Sequence, residues 1–248
     1  MTSPSPAPHA DAAPEPQSLP EALRRATADA HLQAERSPFV GTLLSGQIEP
    51  EVYLRWLVAL HGLYAALEQG LQAEWSASVA TTCPHLPASV FRAKSVQDDI
   101  TYWCGHLGCE APVAGPVAAA YAEHLRVLAR EAPARLLAHA YVRYLGDLSG
   151  GRLMQKGLKH LGGQGTPDDP SLPHPGMAFF RYPEGNSLSE LREQVRSVLA
   201  AAGNDLSDWQ GVLDEAVDAF ARHRGLMDEV DAAGRGEKLP LAAANVAA

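Results

Sequence analysis

Cysteine is scarce in this 248-residue chain: Cys83, Cys104 and Cys109 are all it has. An odd number with no C-x-x-C pair excludes a disulfide framework and fits a reducing compartment, so a cytoplasmic location is expected. Cys104 and Cys109 could serve as zinc ligands on spacing alone, but no second pair completes a site. Ordinary buried thiols are the expectation. Positive charge is also in short supply, with 20 Lys and Arg against 29 Asp and Glu and a formal net charge of −9. That argues against general nucleic-acid binding, which needs a basic footprint. Any anionic ligand must then be held by a few local arginines against the global field. No apolar run approaches the roughly 18 residues of a membrane span, so no membrane anchor is expected. Residues 1–17 hold no Lys, no Arg and no apolar stretch, and do not read as a signal peptide. Strand-like alternation and internal repeats are missing as well.

What is present is helical periodicity. Ser18-Leu-Pro-Glu21 forms a capping box with Pro20 in the first turn, and opens a helix that should run to about Arg36. Glu51 to Trp75 carries the apolar stripe Tyr53, Trp56, Leu57, Leu60, Tyr64, Leu67 and Leu71. Shorter helices are expected over Ser89–Trp103 and Val117–Ala132, and a long one over Pro133–Leu161. Gly162–Ser187 reads as a Gly/Pro-rich loop with an aromatic island at Met177–Tyr182. A second capping box, Ser187 to Glu190, opens a helix that Gly203 should close. A last helix starts at Ser207–Gln210 and runs to about Val230. The expectation is a single all-α domain over 18–231, with a disordered tail at 1–17 and a flexible tail at 232–248.

The stretch AHAYVRYLGDLSGGR, Ala138 to Arg152, breaks the rules of a good helix. It holds Gly146, Gly150 and Gly151, each costing roughly 1 kcal/mol relative to Ala. Gly146 and Gly150 are four apart, so they share a face and strip it of side chains. Such a face lets something flat approach the backbone, with Asp147 beside it. In the first helix, His31 stands among small residues, with Glu35 one turn on. A metal-bound histidine commonly hands its other ring nitrogen to a carboxylate, which Glu35 could provide. Read alone, a surface histidine with a helical carboxylate neighbour is the simpler account.

Together the two segments resemble the heme oxygenase family. The resemblance rests on T-x-x-x-H-x-x-A-E from Thr27 to Glu35 and on Y-x-R-Y-L-G-D-L-S-G-G from Tyr141 to Gly151. It is extended by Leu63-Tyr64-x-x-Leu67-Glu68, Phe179-Phe180 and Ala219-Phe220, across most of Leu19–Val230. It implies an all-helical fold that sandwiches heme (haem b, both cofactor and substrate) between a proximal and a distal helix. It implies His31 as the axial ligand of the heme iron, Glu35 as its partner, and Gly146, Gly150 and Gly151 as distal backbone against the heme. Asp147, Arg143 and Tyr64 are implied to organise distal water for proton delivery. Arg24, Arg192, Arg196 and Tyr141 are implied at the heme propionates, with Phe220 in the pocket. Val142 and Arg152 depart from the animal enzymes, where threonine and glutamine are common. The implied reaction is O2-dependent cleavage at a meso carbon, the α position by default. Its products are biliverdin, ferrous iron and carbon monoxide, with electrons from a ferredoxin or flavoprotein reductase and a biliverdin-using partner downstream.

Two other readings compete. A non-catalytic protein that stores or senses heme would keep His31 and the glycines but would not need Asp147. A di-iron oxidase on a similar fold would need Glu-x-x-His pairs, which Glu21, Glu68 and Glu123 do not offer. Cys83-Pro84 offers an axial thiolate only on the strength of one dipeptide.

Overall fold

A computed structural model describes residues 18–72, 85–161, 175–183, 185 and 187–237. The expected 1–17 tail, Cys83, most of the 162–187 loop and residues 238–248 of the expected C-terminal tail lie wholly or largely outside these. Among the described residues the chain is helical and holds no strand. Ten α-helices are described: α1 Leu19–Ala26, α2 Ala28–Glu35, α3 Pro38–Leu44, α4 Pro50–Gly70 and α5 Ala93–Leu107, then α6 Pro116–Glu131, α7 Leu136–Ala140, α8 Gly146–Gly157, α9 Leu188–Asp205 and α10 Trp209–Gly234. A π-helical segment, Tyr141–Leu145, joins α7 to α8.

The centre is α4. Its buried residues, among them Leu54, Trp56, Leu57, Leu60, Leu63, Tyr64 and Leu67, run almost all round the helix, the pattern of a helix enclosed by others. It packs on α5 and α6, while α10 lies across α1, α2, α3, α4, α6 and α7. Some close approaches depend on glycine. A Cβ on Gly203 would stand 2.6 Å from Leu19 Cβ, and one on Gly157 would collide with the Leu43 carbonyl. Gly203 therefore lies inside α9, where α1 crosses it, and does not close the helix as expected.

Several expected boundaries move. The first helix breaks at Thr27 (φ −100°, ψ 3°), whose hydroxyl bonds back to the Leu23 carbonyl at 2.7 Å, a competition that bends helices. Ser18 makes no side-chain cap, whereas the Ser187 capping box is complete. The unforeseen α3 is capped by Ser37. The last helix continues through Gly234, into what was expected to be tail. Cys104 is half-buried but Cys109 is exposed, so the expectation of buried thiols fails for Cys109. No helix among the described residues is long and apolar enough to cross a membrane.

Candidate active site: a bare glycine face and a buried carboxylate

The expected long helix over Pro133–Leu161 is instead a 3-10 turn, α7, the π segment, α8 and a terminal 3-10 turn. A π turn accommodates an extra residue, and each residue on a helix is worth about 100° of rotation. The faces before and after Tyr141–Leu145 are therefore re-aimed relative to a uniform helix. Gly146 and Gly150 both follow the π turn and keep their common face. A Cβ built on either meets nothing within 4 Å. Leu153, one turn on along that face, is 58% exposed. The face is thus bare backbone followed by an apolar side chain, open to an apolar, flat ligand. Gly151 is placed differently. It is buried, and its Cβ would stand 3.6 Å from Phe180, so it meets the aromatic island and not the open face.

Behind the glycines lies a closed polar cluster. Asp147 is 5% and Arg143 6% exposed, and Arg143 Nη2 donates to Asp147 Oδ1 at 2.8 Å. The Tyr64 hydroxyl donates to Asp147 Oδ2, and itself accepts from Arg143 Nε at 3.1 Å and Nη2 at 2.7 Å. The sequence leaves Asp147 dependent on water; the structure gives it two direct protein partners. Burial pushes the Asp147 carboxyl pKa up, while Arg143 and Tyr64 pull against that. Burial works against the Arg143 charge, yet Asp147 and Tyr64 outweigh it and raise its pKa. Arg143 Nη1 also reaches the His223 ring, 3.0 Å from Nε2. Burial and Arg143 both lower the His223 pKa, which leaves that ring neutral. The sequence singled out neither His223 nor the fully buried Tyr144, whose hydroxyl has no partner among the described residues.

Near the N-terminal end, α2 has no buried residue, although it packs on α10. His31 is half-exposed and its Nδ1 stands 3.7 Å from Glu35 Oε1, beyond hydrogen-bond range. Its ring meets the edge of Phe220 with centroids 5.7 Å apart, so Phe220 braces the imidazole. Tyr141 hydrogen-bonds Thr27 and lies in the field of Arg24 and Arg196; burial nevertheless raises its pKa. Three of the four residues implied at an anionic group thus gather at the α1/α9 edge. Arg192, half-buried on α9, makes no described contact with them. Val142 is buried, and Arg152 is exposed beyond the cluster.

The supporting parts were not legible in advance. Glu68 Oε1 accepts from the backbone N–H of Ala93 at 3.0 Å and from that of Arg92, capping α5. The Arg92 guanidinium donates to the carbonyls of Ser89, Val90, Phe179 and Arg181. Asp99 accepts from the N–H groups of Ala178 and Phe179 at 2.6 and 2.8 Å. These side chains fix the Phe179–Phe180 turn against Tyr64 and Gly151.

An all-helical protein with an exposed histidine, a bare glycine face and a buried Asp–Arg–Tyr cluster is what the fold and site define. A family model described as Heme oxygenase matches residues 17–229, and the chain belongs to that family. Heme oxygenase 1 of Bos taurus is 33% identical over 218 residues, covering 87% of this chain and 72% of that protein. Heme oxygenase 1 of Homo sapiens is 31% identical with the same coverage of each. The heme oxygenase-1 structure from the cyanobacterium Synechocystis, in complex with heme, superposes with a TM-score of 0.72 at 26% identity, covering 88% of this chain and 95% of that one. The Leptospira interrogans enzyme gives 0.70 at 25% identity, covering 86% and 100%.

Proposed function

We propose that this enzyme binds heme between α2 and the Gly146–Gly150 face and cleaves it with O2 to biliverdin, ferrous iron and carbon monoxide. The carrying observation is the open glycine face backed by the buried Asp147–Arg143–Tyr64 cluster. The residues fit the ligand. A flat ring could lie on backbone where no Cβ intrudes, the exposed His31 would hold the iron, and Arg24, Arg196 and Tyr141 would hold a carboxylate. Arg192 would join them.

Bound heme supplies the iron at which O2 is activated and is itself the ring that is opened. The protein's share is placement and proton supply. Phe220 limits rotation of the His31 imidazole, and Glu35 is near enough to take its Nδ1–H after a small side-chain movement. The arginine cluster sets the ring's rotation and so which meso carbon is presented; the α carbon is the assignment proposed here. Gly146 and Gly150 would leave the ring's face on that side free of their own side chains and would offer it no acid–base group. Asp147 holds the Tyr64 proton at Oδ2, and Arg143 keeps that carboxylate oriented. Protons would then pass from Asp147 to the cleft through ordered water. A storage or sensing protein has no use for so costly a buried pair. Electrons would come from a separate ferredoxin or flavoprotein reductase, and the enzyme would work in the cytoplasm.

The test is turnover of the heme complex with a reductant under air, with chromatography of the product. A single bilin isomer and carbon monoxide are expected. A heme spectrum that survives repeated reduction would leave the storage reading.

A further inference from the structure

Away from the glycine face, three helices bring together a second set of ligand-type side chains. His124 comes from α6, His139 from α7 and Glu215 from α10. Their donor atoms lie within 4.8 Å of one another. His124 Nε2 is 2.7 Å and His139 Nε2 3.0 Å from Glu215 Oε1. Asp218 Oδ2, one turn along α10, is 3.9 Å from His124 Nε2. We propose that His124, His139 and Glu215 form a binding site for a divalent first-row transition-metal ion, with Asp218 or water completing it.

Two imidazoles and a carboxylate are a donor set that Zn2+ and non-heme Fe2+ both take. Tetrahedral bonds of about 2.0–2.1 Å put neighbouring donors about 3.3 Å apart. The Nε2–Oε1 separations of 2.7 and 3.0 Å therefore need to open by about 0.6 and about 0.3 Å. His139 is fully buried and Glu215 nearly so, while the His124 side chain is 22% exposed and leaves an entry edge. The outer support exists: the Tyr121 hydroxyl sits 2.9 Å from His139 Nδ1, and Arg222 Nε holds Asp218 Oδ2 at 2.5 Å.

Proton accounting allows binding without a net release. In the metal-free protein each Nε2–H donates to Glu215. On metal binding the His139 proton moves to Nδ1 and is accepted by the Tyr121 oxygen, and the His124 proton moves to its Nδ1. Both imidazoles stay neutral, and Glu215 stays ionised. Two carboxylates then face the dication. Arg222, the nearby cation, remains tied to Asp218.

None of the three donors is a residue assigned to heme binding, so the site can be tested on the heme-free full chain. After chelator treatment, Zn2+ is titrated against a chromophoric competitor, and Co2+ is added separately for its visible absorption. The expected result is one equivalent bound. Affinity should drop about tenfold or more in both His124→Ala and Glu215→Gln, and stay unchanged in His31→Ala. His124→Ala alone suffices should Glu215→Gln not fold, because His124 is at the rim. An anaerobic Fe2+ competition separates the sources: displacement of Zn2+ would make iron released in turnover an occupant, and no displacement would make zinc the occupant. Equal binding by wild type and His124→Ala, or no binding by wild type below millimolar metal, overturns the site and leaves the cluster as a hydrogen-bonded clamp.

Discussion

Removing the Asp147 carboxylate tests the site and the fold together. Asp147 and Arg143 are both almost wholly buried and joined at 2.8 Å. Asp147→Ala deletes two charge-assisted hydrogen bonds, from Arg143 and Tyr64, each typically worth about 1.5–3 kcal/mol. It also leaves a buried guanidinium with Tyr64 and His223 as its remaining partners among the described residues. Breaking a buried pair from one side costs about 3–5 kcal/mol, and the two bond values sum to the same range. For a chain of this size that lowers Tm by roughly 6–20 °C.

The assay is a double-mutant cycle by denaturant unfolding of the heme-free protein at neutral pH, with Asp147→Ala, Arg143→Met and the double variant. The double variant should be more stable than the sum of the singles predicts, by about 1–3 kcal/mol. In parallel, bilin formation by Asp147→Ala, measured well below its Tm, should fall about a hundredfold or more, with heme affinity retained through His31 and the arginines. Additive costs below about 1 kcal/mol would show that the pair is not the buried ion pair described. A stability loss with unaltered bilin formation would make the cluster purely architectural and refute the proton relay.

His31→Ala should abolish the five-coordinate histidine spectrum of ferrous heme, and added imidazole should restore it in part; an unchanged spectrum moves the ligand elsewhere. Replacing Arg24 and Arg196 together should weaken heme binding or alter the bilin isomer ratio, with Arg192→Ala giving the smaller change; no change in either readout places the propionates elsewhere. Burial raises the Asp99 carboxyl to about 6, against its two backbone hydrogen bonds. A raised carboxyl stabilises the fold below its unfolded pKa near 4, and this contribution is lost as pH rises through 6. It amounts to about 3 kcal/mol for the two-unit shift. The loss should show as a slope between pH 4 and 6 in denaturant unfolding that Asp99→Asn removes; equal slopes would mean that Asp99 stays ionised. Tyr144→Phe removes a buried hydroxyl that has no partner among the described residues, so stability should hold or rise, and a loss above about 1 kcal/mol would show that the hydroxyl is bonded.

The helical content was legible because α4, α5, α6 and α9 carry apolar residues at a regular 3.6 spacing and end on proline, glycine or a serine cap. The break at Thr27 was not. Its cause is one hydroxyl choosing the Leu23 carbonyl, and the surrounding composition stays helical. The π turn was illegible for the same kind of reason. Its residues, Tyr141–Leu145, include no glycine or proline to mark a change of helix, and the extra residue is accommodated by what Arg143 and Tyr144 reach in α4 and α10. That explains why Gly146 and Gly150 share a face on spacing alone, while the surroundings of Gly151 do not follow from spacing. Gly146 and Gly150 need only a regular turn between them, but Gly151 is oriented by the Phe179–Phe180 island, which Arg92 and Asp99 pin from distant parts of the chain.

The same division separates the site's two halves. His31, Glu35 and Phe220 lie on exposed or half-exposed faces, and the sequence marks them by motif alone. Nothing local requires them, because α2 has no buried residue to anchor it. Asp147 and Arg143 are four apart and could be paired from spacing, yet spacing does not say whether that pair is a solvated surface bridge or a buried one. Their value changes from a few tenths of a kcal/mol to several between those cases. Tyr64, which is eighty-three residues away from Asp147 in sequence, decides the matter. Its ring closes the cluster from α4, so only the packing of α4 against the π segment turns a helical ion pair into a desolvated group able to hold a proton beside the cleft.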